Sequence, residues 1–184
     1  MPYHYVFLAL WLILVAYWIY GYFGNKRSVY VWRPGWRLAA MAAFVAFVVL
    51  CKELPAMNAR VFRPAEPVVW IGIAVCAAGL AFAIWARRTL GRNWSGAATI
   101  KEGHELITRG PYRFVRHPIY TGLLTGVAGT LIGSGKVREL VILAAAALAI
   151  WAKLSVEERL MLRQFPEAYP EYRRRTKAII PFVI

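Results

Sequence analysis

The chain has 184 residues, which suggests one domain. It is 60% apolar with a mean hydropathy of +0.48, which excludes an ordinary globular surface and suits an integral membrane protein. Lysine and arginine number 23 against nine acids, none of them Asp, for a net charge of +14. The basic residues lie in short stretches between apolar runs, which argues against nucleic acid as the partner and for a bilayer.

Taken in chain order, the apolar runs predict an all-α polytopic fold of about five transmembrane helices. They cover Tyr3–Phe23, Trp36–Cys51, Pro67–Ala86, Pro118–Gly133 and Val137–Phe165. Without water in the hydrocarbon layer, each span must satisfy its own backbone groups, so helices are the expected form. The second and fourth approach the lower limit of about 17 residues, which flanking residues or a locally thinner bilayer can accommodate. The first lacks a basic stretch before it and a small-residue cleavage site after it. It is expected to be a retained helix, with Trp11 and Trp18 available for the interface.

Alternating spans would put residues 24–37, 87–116 and the tail from Lys153 on one side, with 18 basic residues. The other side would hold five: Lys52, Arg60, Arg63, Lys136 and Arg138. The positive-inside rule makes the first side cytoplasmic and the N-terminus external. Cys51 and Cys76 have neither metal-ligand spacing nor a disulfide framework and read as small hydrophobes.

Between the third and fourth spans, Arg87 to Arg116 form a connector of about thirty residues, long for so small a membrane protein. It carries Gly91, Gly96, Gly103 and Gly110 with Trp94, His104 and Tyr112, without a strong helical or strand period. A binding lid or cap is expected.

Gly122 with Gly126, and Gly129 with Gly133, give the fourth span two small-xxx-small pairs. Ala144–Ala147 and Ala149 on the fifth offer a small-residue face in return, and the turn Gly133-Ser134-Gly135-Lys136 makes the last two spans a tight antiparallel hairpin. Counting from that turn puts His117 level with about residue 152, beside Lys153. Glu157 and Glu158 then fall about one turn of roughly 5.4 Å further out. The result is a polar, water-filled mouth, roofed by the connector. Pro118 suits the first turn of a helix, whose free amides favour an anion. The two glutamates favour a cation, so the pair of preferences suits a zwitterion, and Arg116 reinforces the anionic end.

The runs Leu106-Ile107-Thr108-Arg109-Gly110-Pro111-Tyr112 and Arg116-His117-Pro118-Ile119-Tyr120-Thr121-Gly122 resemble the isoprenylcysteine carboxyl methyltransferase and phospholipid methyltransferase group. So do Glu157-Glu158, Phe165, Tyr169, Tyr172 and Pro181, and the resemblance covers roughly residues 90–184. It implies an integral membrane enzyme that moves a methyl group from S-adenosylmethionine to a lipophilic acceptor, with S-adenosylhomocysteine as product. On this reading residues 1–184 are one membrane domain, with three helices in 1–86 and the catalytic part in 87–184.

The resemblance further implies that His104, Leu106, Gly110, Tyr112, His117, Pro118 and Tyr120 line the cofactor site. Glu157 and Glu158 would hold the cofactor's polar groups, and both join Arg116 and Lys153 as candidate catalytic residues. Lys153 would face an acidic acceptor. Pro166 and Met161 depart from the family's usual Gly and Leu and touch the packing of the tail. No metal is implied. A carboxylate or thiolate acceptor needs no general base, whereas an amine needs His117 or a glutamate to take its proton. An isoprenylcysteine-type carboxylate, a lipid amine and a thiol all stay open as acceptors. The competing readings are an NADPH-dependent reductase of a sterol-like substrate and a membrane scaffold or transporter; the latter predicts charged residues at the midplane of the spans, and none occurs.

Overall fold

The computed structural model describes residues 3–22, 28–31, 36–91, 94, 99–101 and 105–180. Among the described residues six α-helices carry the fold: α1 (Tyr3–Tyr22), α2 (Trp36–Glu53), α3 (Glu66–Leu90), α4 (Pro118–Ser134), α5 (Val137–Gln164) and α6 (Ala168–Arg175). The first five coincide with the five apolar runs of the sequence. By length and composition α1, α3 and α5 can each cross a bilayer. α4, at 17 residues, rises only about 26 Å. It lies against α1 and α3, so it need not meet lipid on every side.

The helix ends follow from local chemistry. Pro67 stands in the first turn of α3 and Pro118 in that of α4, where a missing N–H costs nothing. Glu66 opens α3, and Arg87 and Arg88 close it, each sign matched to the helix dipole. Gly135 ends α4 in the left-handed region (φ 61°), donating its N–H to the Leu131 carbonyl at 2.7 Å.

The closest helix pair is α3 with α4, and here the structure corrects the sequence reading. The glycines of α4 do not meet the alanines of α5. A Cβ on Gly72 would lie 2.5 Å from the Gly133 amide nitrogen, and one on Gly79 would lie 2.7 Å from the Gly122 carbonyl oxygen. One on Gly129 would collide with the backbone of Cys76. Backbone therefore touches backbone along two helices, as small residues permit. Ala144, Ala147 and Ala149 are exposed on α5 instead. Around the α3–α4 seam, Phe7, Leu14, Cys76, Leu80 and Ala83 form the buried core, joined by Leu10, Trp11 and Leu123. The Trp11 indole donates to Thr130 Oγ1 at 3.2 Å.

Connections meet at two ends of the bundle. At one, the strand β1 (Ser28–Val31) pairs antiparallel with β2 (Thr99–Lys101), tying the α1–α2 connection to the α3–α4 connection. The sequence shows no strand period there; three or four residues are too few to display one. The C-terminal tail joins this end through a parallel bridge of Val115 with Lys177. At the opposite end, Val137 donates to the Ala59 carbonyl at 2.9 Å, and Arg138 reaches Asn58 Oδ1 at 2.9 Å. The expected alternation of connections between two faces is therefore present in the backbone.

Candidate functional site

α5 has 28 residues and rises about 42 Å, against about 30 Å of hydrocarbon. Its last turns project past the end of the bundle that carries β1 and β2. There the carboxylates of Glu157 and Glu158 meet the chain just before α4.

That chain is extended. Arg116 donates its N–H to the Lys177 carbonyl at 2.8 Å and His117 to that of Ala178 at 2.9 Å, while Thr121 Oγ1 donates to the Ile179 carbonyl at 2.6 Å. The tail thus lies alongside residues 115–117 and fixes how His117 enters α4. The His117 carbonyl then accepts from the Tyr120 and Thr121 amides at 3.0 and 3.1 Å, starting the helix.

His117 sits between the two glutamates. Its Nδ1 is 3.5 Å from Glu157 Oε2 and its Nε2 is 3.6 Å from Glu158 Oε1, with the imidazole 9% exposed. Arg116 grips Glu158 Oε1 with Nη2 at 2.7 Å and Nε at 2.9 Å. Its Nη1 donates to the Thr176 and Arg173 carbonyls, which pins the tail to the same carboxylate. Arg173 approaches Glu158 Oε2 at 3.4 Å. Tyr120 donates its hydroxyl to Glu157 Oε1 at 2.8 Å, and Lys153 Nζ lies 3.6 Å from the same oxygen and 5.2 Å from the Tyr120 ring centre. The imidazole of His117 stacks on that ring.

The electrostatics of the imidazole follow from this geometry. Burial pulls the His117 pKa down, but the two carboxylates outweigh it and hold it above the ordinary histidine value. Both carboxylates face cations or donors, so neither is an uncompensated buried charge. His117 Nε2 is buried without a partner at hydrogen-bond distance. Behind the cluster, Tyr172 donates its hydroxyl to the Tyr112 carbonyl at 2.6 Å. Burial pushes the Tyr172 phenol up to about 12 and Tyr112 well above its usual value, so both stay neutral.

The structure brings Arg116, His117, Tyr120, Lys153, Glu157 and Glu158 together. Pro118 is fully buried beneath them, and Tyr112 is linked to them through Tyr172 and α6. Gly110 (φ 60°) packs on Thr89 of α3 rather than on the cluster, and Leu106 is half-buried and takes no part in its ion pairs. His104 lies outside the described residues.

Two expectations need correction. His117 reaches Glu157 and Glu158 directly, about one turn beyond the level expected. The offset is already present within α4, where Tyr120, expected level with about residue 149, meets Lys153 and Glu157. The mouth is also not an open vestibule, because the side chains expected to line it are engaged with one another. The tail's part was missed: Arg173 reads in sequence as one of a run of basic anchors. The Tyr169–Tyr172 spacing, which turns one face of α6 inward, was the available signal.

The model of the phospholipid methyltransferase family matches residues 67–168, from α3 to the start of α6. The nickel-cobalt-cadmium resistance protein NccN of Alcaligenes xylosoxydans xylosoxydans is 35% identical over 114 residues, 61% of this chain and 52% of that protein. The protein-S-isoprenylcysteine O-methyltransferase of Tribolium castaneum is 26% identical over 159 residues, 82% of this chain and 53% of that one. The solved structure of a eukaryotic intramembrane Ras methyltransferase, an isoprenylcysteine carboxyl methyltransferase, superposes with a TM-score of 0.60 at 26% identity, covering 84% of this chain and 55% of its own. The chain spans about half the length of the curated relatives it matches. Although NccN is named for metal resistance, no group of three or more His, Cys, Asp or Glu among the described residues is placed to hold a metal ion.

Proposed function

The chain belongs to the phospholipid methyltransferase family, and on that premise we propose that it transfers a methyl group from S-adenosylmethionine to a lipophilic acceptor at the membrane face. The observation that carries the reading is the position of His117 between Glu157 and Glu158 at the end of α5. Both halves of that cluster lie within the stretch the family model matches.

The donor set suits the cofactor. Two carboxylates fit the ammonium of its methionine portion, and the buried imidazole of His117, whose Nε2 has no partner within hydrogen-bond distance, fits a polar group beside it. When bound, S-adenosylmethionine supplies a methyl group on a sulfonium, which passes to the acceptor by in-line displacement. The protein's work is alignment and exclusion of water. Glu157 and Glu158 bind and orient. Arg116 positions Glu158 and the tail, since its guanidinium is spent on that carboxylate and on two carbonyls. Tyr120 fixes Glu157 through its hydroxyl and closes the site with its ring. Lys153, one third exposed beside Tyr120, faces the acceptor and favours one that carries an acidic group. A carboxylate acceptor of the isoprenylcysteine type meets that preference; a lipid amine would need His117 to take its proton. The count read from the sequence, 18 basic residues on the connections expected to share the side of the site against five on the other, supports a cytoplasmic site with the N-terminus outside.

Binding of S-adenosylhomocysteine by the detergent-purified protein tests the reading. Glu158→Gln and His117→Ala are each expected to weaken it by at least tenfold, with NADPH giving no thermal shift. Affinity unchanged in both variants would sink the site.

A further inference from the structure

Beside the cluster, the surface between α5 and α6 forms a shallow, open cleft lined by Leu162, Pro170, Arg173 and Arg174. Leu162 stands four residues past Glu158, so the cleft continues the same edge of α5 beyond the carboxylates. The faces of α6 are divided by spacing. Tyr169 and Tyr172 are buried, and Glu171 pairs with Arg175 away from the cleft. Pro170, Arg173 and Arg174 share the third face. Arg173 is half exposed and reaches Glu158 with Nε alone at 3.4 Å. Arg174 is exposed and makes no ion pair among the described residues. Two guanidinium groups therefore stand over an apolar floor, and the nearest acid of α6 is already neutralised.

Depth narrows the occupant. α5 outruns the hydrocarbon by about 12 Å, which sets Leu162 and α6 at the level of the headgroups. We propose that this cleft binds the phosphate of an anionic phospholipid from the surrounding bilayer. The two guanidinium forks match a phosphate's oxygens, while Leu162 and Pro170 suit the glycerol and first methylenes that follow it. A free phosphate has no use for that floor. The site borders the donor pocket through Arg173, but Leu162, Pro170 and Arg174 take no part in the carboxylate cluster, and lipid binding there does not depend on the proposed reaction.

The test uses the full chain in nanodiscs of phosphatidylcholine alone or of equimolar phosphatidylcholine and phosphatidylglycerol. Lipid retention by native mass spectrometry and the melting temperature are both read. Phosphatidylglycerol is expected to be retained and to raise the melting temperature of the wild type. Arg174→Gln should weaken retention about fivefold, the usual share of one basic residue at an anionic surface. Arg174→Lys keeps the charge but loses the fork, and is expected to fall well short of wild type. Both variants leave the Arg173–Glu158 contact in place, so S-adenosylhomocysteine binding serves as a check on folding. Wild-type retention in Arg174→Gln overturns the proposal. So does full retention in Arg174→Lys, which would mean generic surface charge, or equal stabilisation by inorganic phosphate, which would mean a free-anion site.

Discussion

His117 is held by charge on two sides, and that makes its protonation a stability term. The carboxylates of Glu157 and Glu158 favour the imidazolium and raise its folded-state pKa, despite burial acting the other way. A group whose pKa is raised on folding stabilises the fold fully below its unfolded value, about 6.5 for histidine. That contribution is lost as pH rises through the folded value. The melting temperature of the detergent-solubilised wild type should therefore fall as pH rises upward from about 6.5. His117→Gln should start lower and change less over the same window, since groups common to both proteins cancel in the comparison. Parallel profiles would mean that His117 does not change its proton affinity on folding. The same residue shows what was legible at this scale. Proximity of His117 to the glutamates follows from a short turn and two apolar helices. Their direct contact does not, because the offset of α4 against α5 is set by how the helices pack and by a tail, far away in the chain, that Arg116 and His117 hold.

Helices and the α4–α5 hairpin could be placed from their punctuation, but not the helix that meets the glycines of α4. Pro67, Pro118 and Gly135 mark helix ends through backbone chemistry that any partner would leave unchanged. The glycines of α4 carry a different kind of information. They state that something approaches closely without saying what. The alanines of α5 were the nearer match in sequence, yet Gly72 and Gly79 of α3 are seven residues apart, two helical turns, and so stay on one face. That spacing was present in the chain and is the signal that identifies the partner. Substitution distinguishes the two seams. Gly129→Ala would drive a methyl into the backbone at Cys76 and Gly72 and should cost about 1–3 kcal/mol, as overpacking does. Ala147→Leu, on the exposed face of α5, should stay within about 0.5 kcal/mol of wild type. Thermal unfolding of both variants in one detergent checks the pair. The reverse order of destabilisation would restore α5 as the partner of α4's glycines.

For the molecule as a whole, the decisive property is that its connections sort into two sets. The α2–α3 connection meets the α4–α5 turn at one end. The β1–β2 pair, the stretch before α4 and the tail meet at the other. Backbone hydrogen bonds between loops remote in sequence hold each set together. Charge then orients them. The alternation read from the sequence assigns 18 basic residues to the side of the site and five to the other, and the potential and insertion biases that act on lysine and arginine then favour the site side inside. Labelling can read this directly, because Cys51 and Cys76 are both buried and can be replaced to give a silent background. In intact cells, Ser134→Cys in the α4–α5 turn should react with a membrane-impermeant maleimide, and Lys177→Cys in the tail should react only after the membrane is opened. The opposite pattern would place the carboxylate cluster outside, where a cytosolic methyl donor could not reach it, and the proposed reaction would fail with the topology even though the fold stood unchanged.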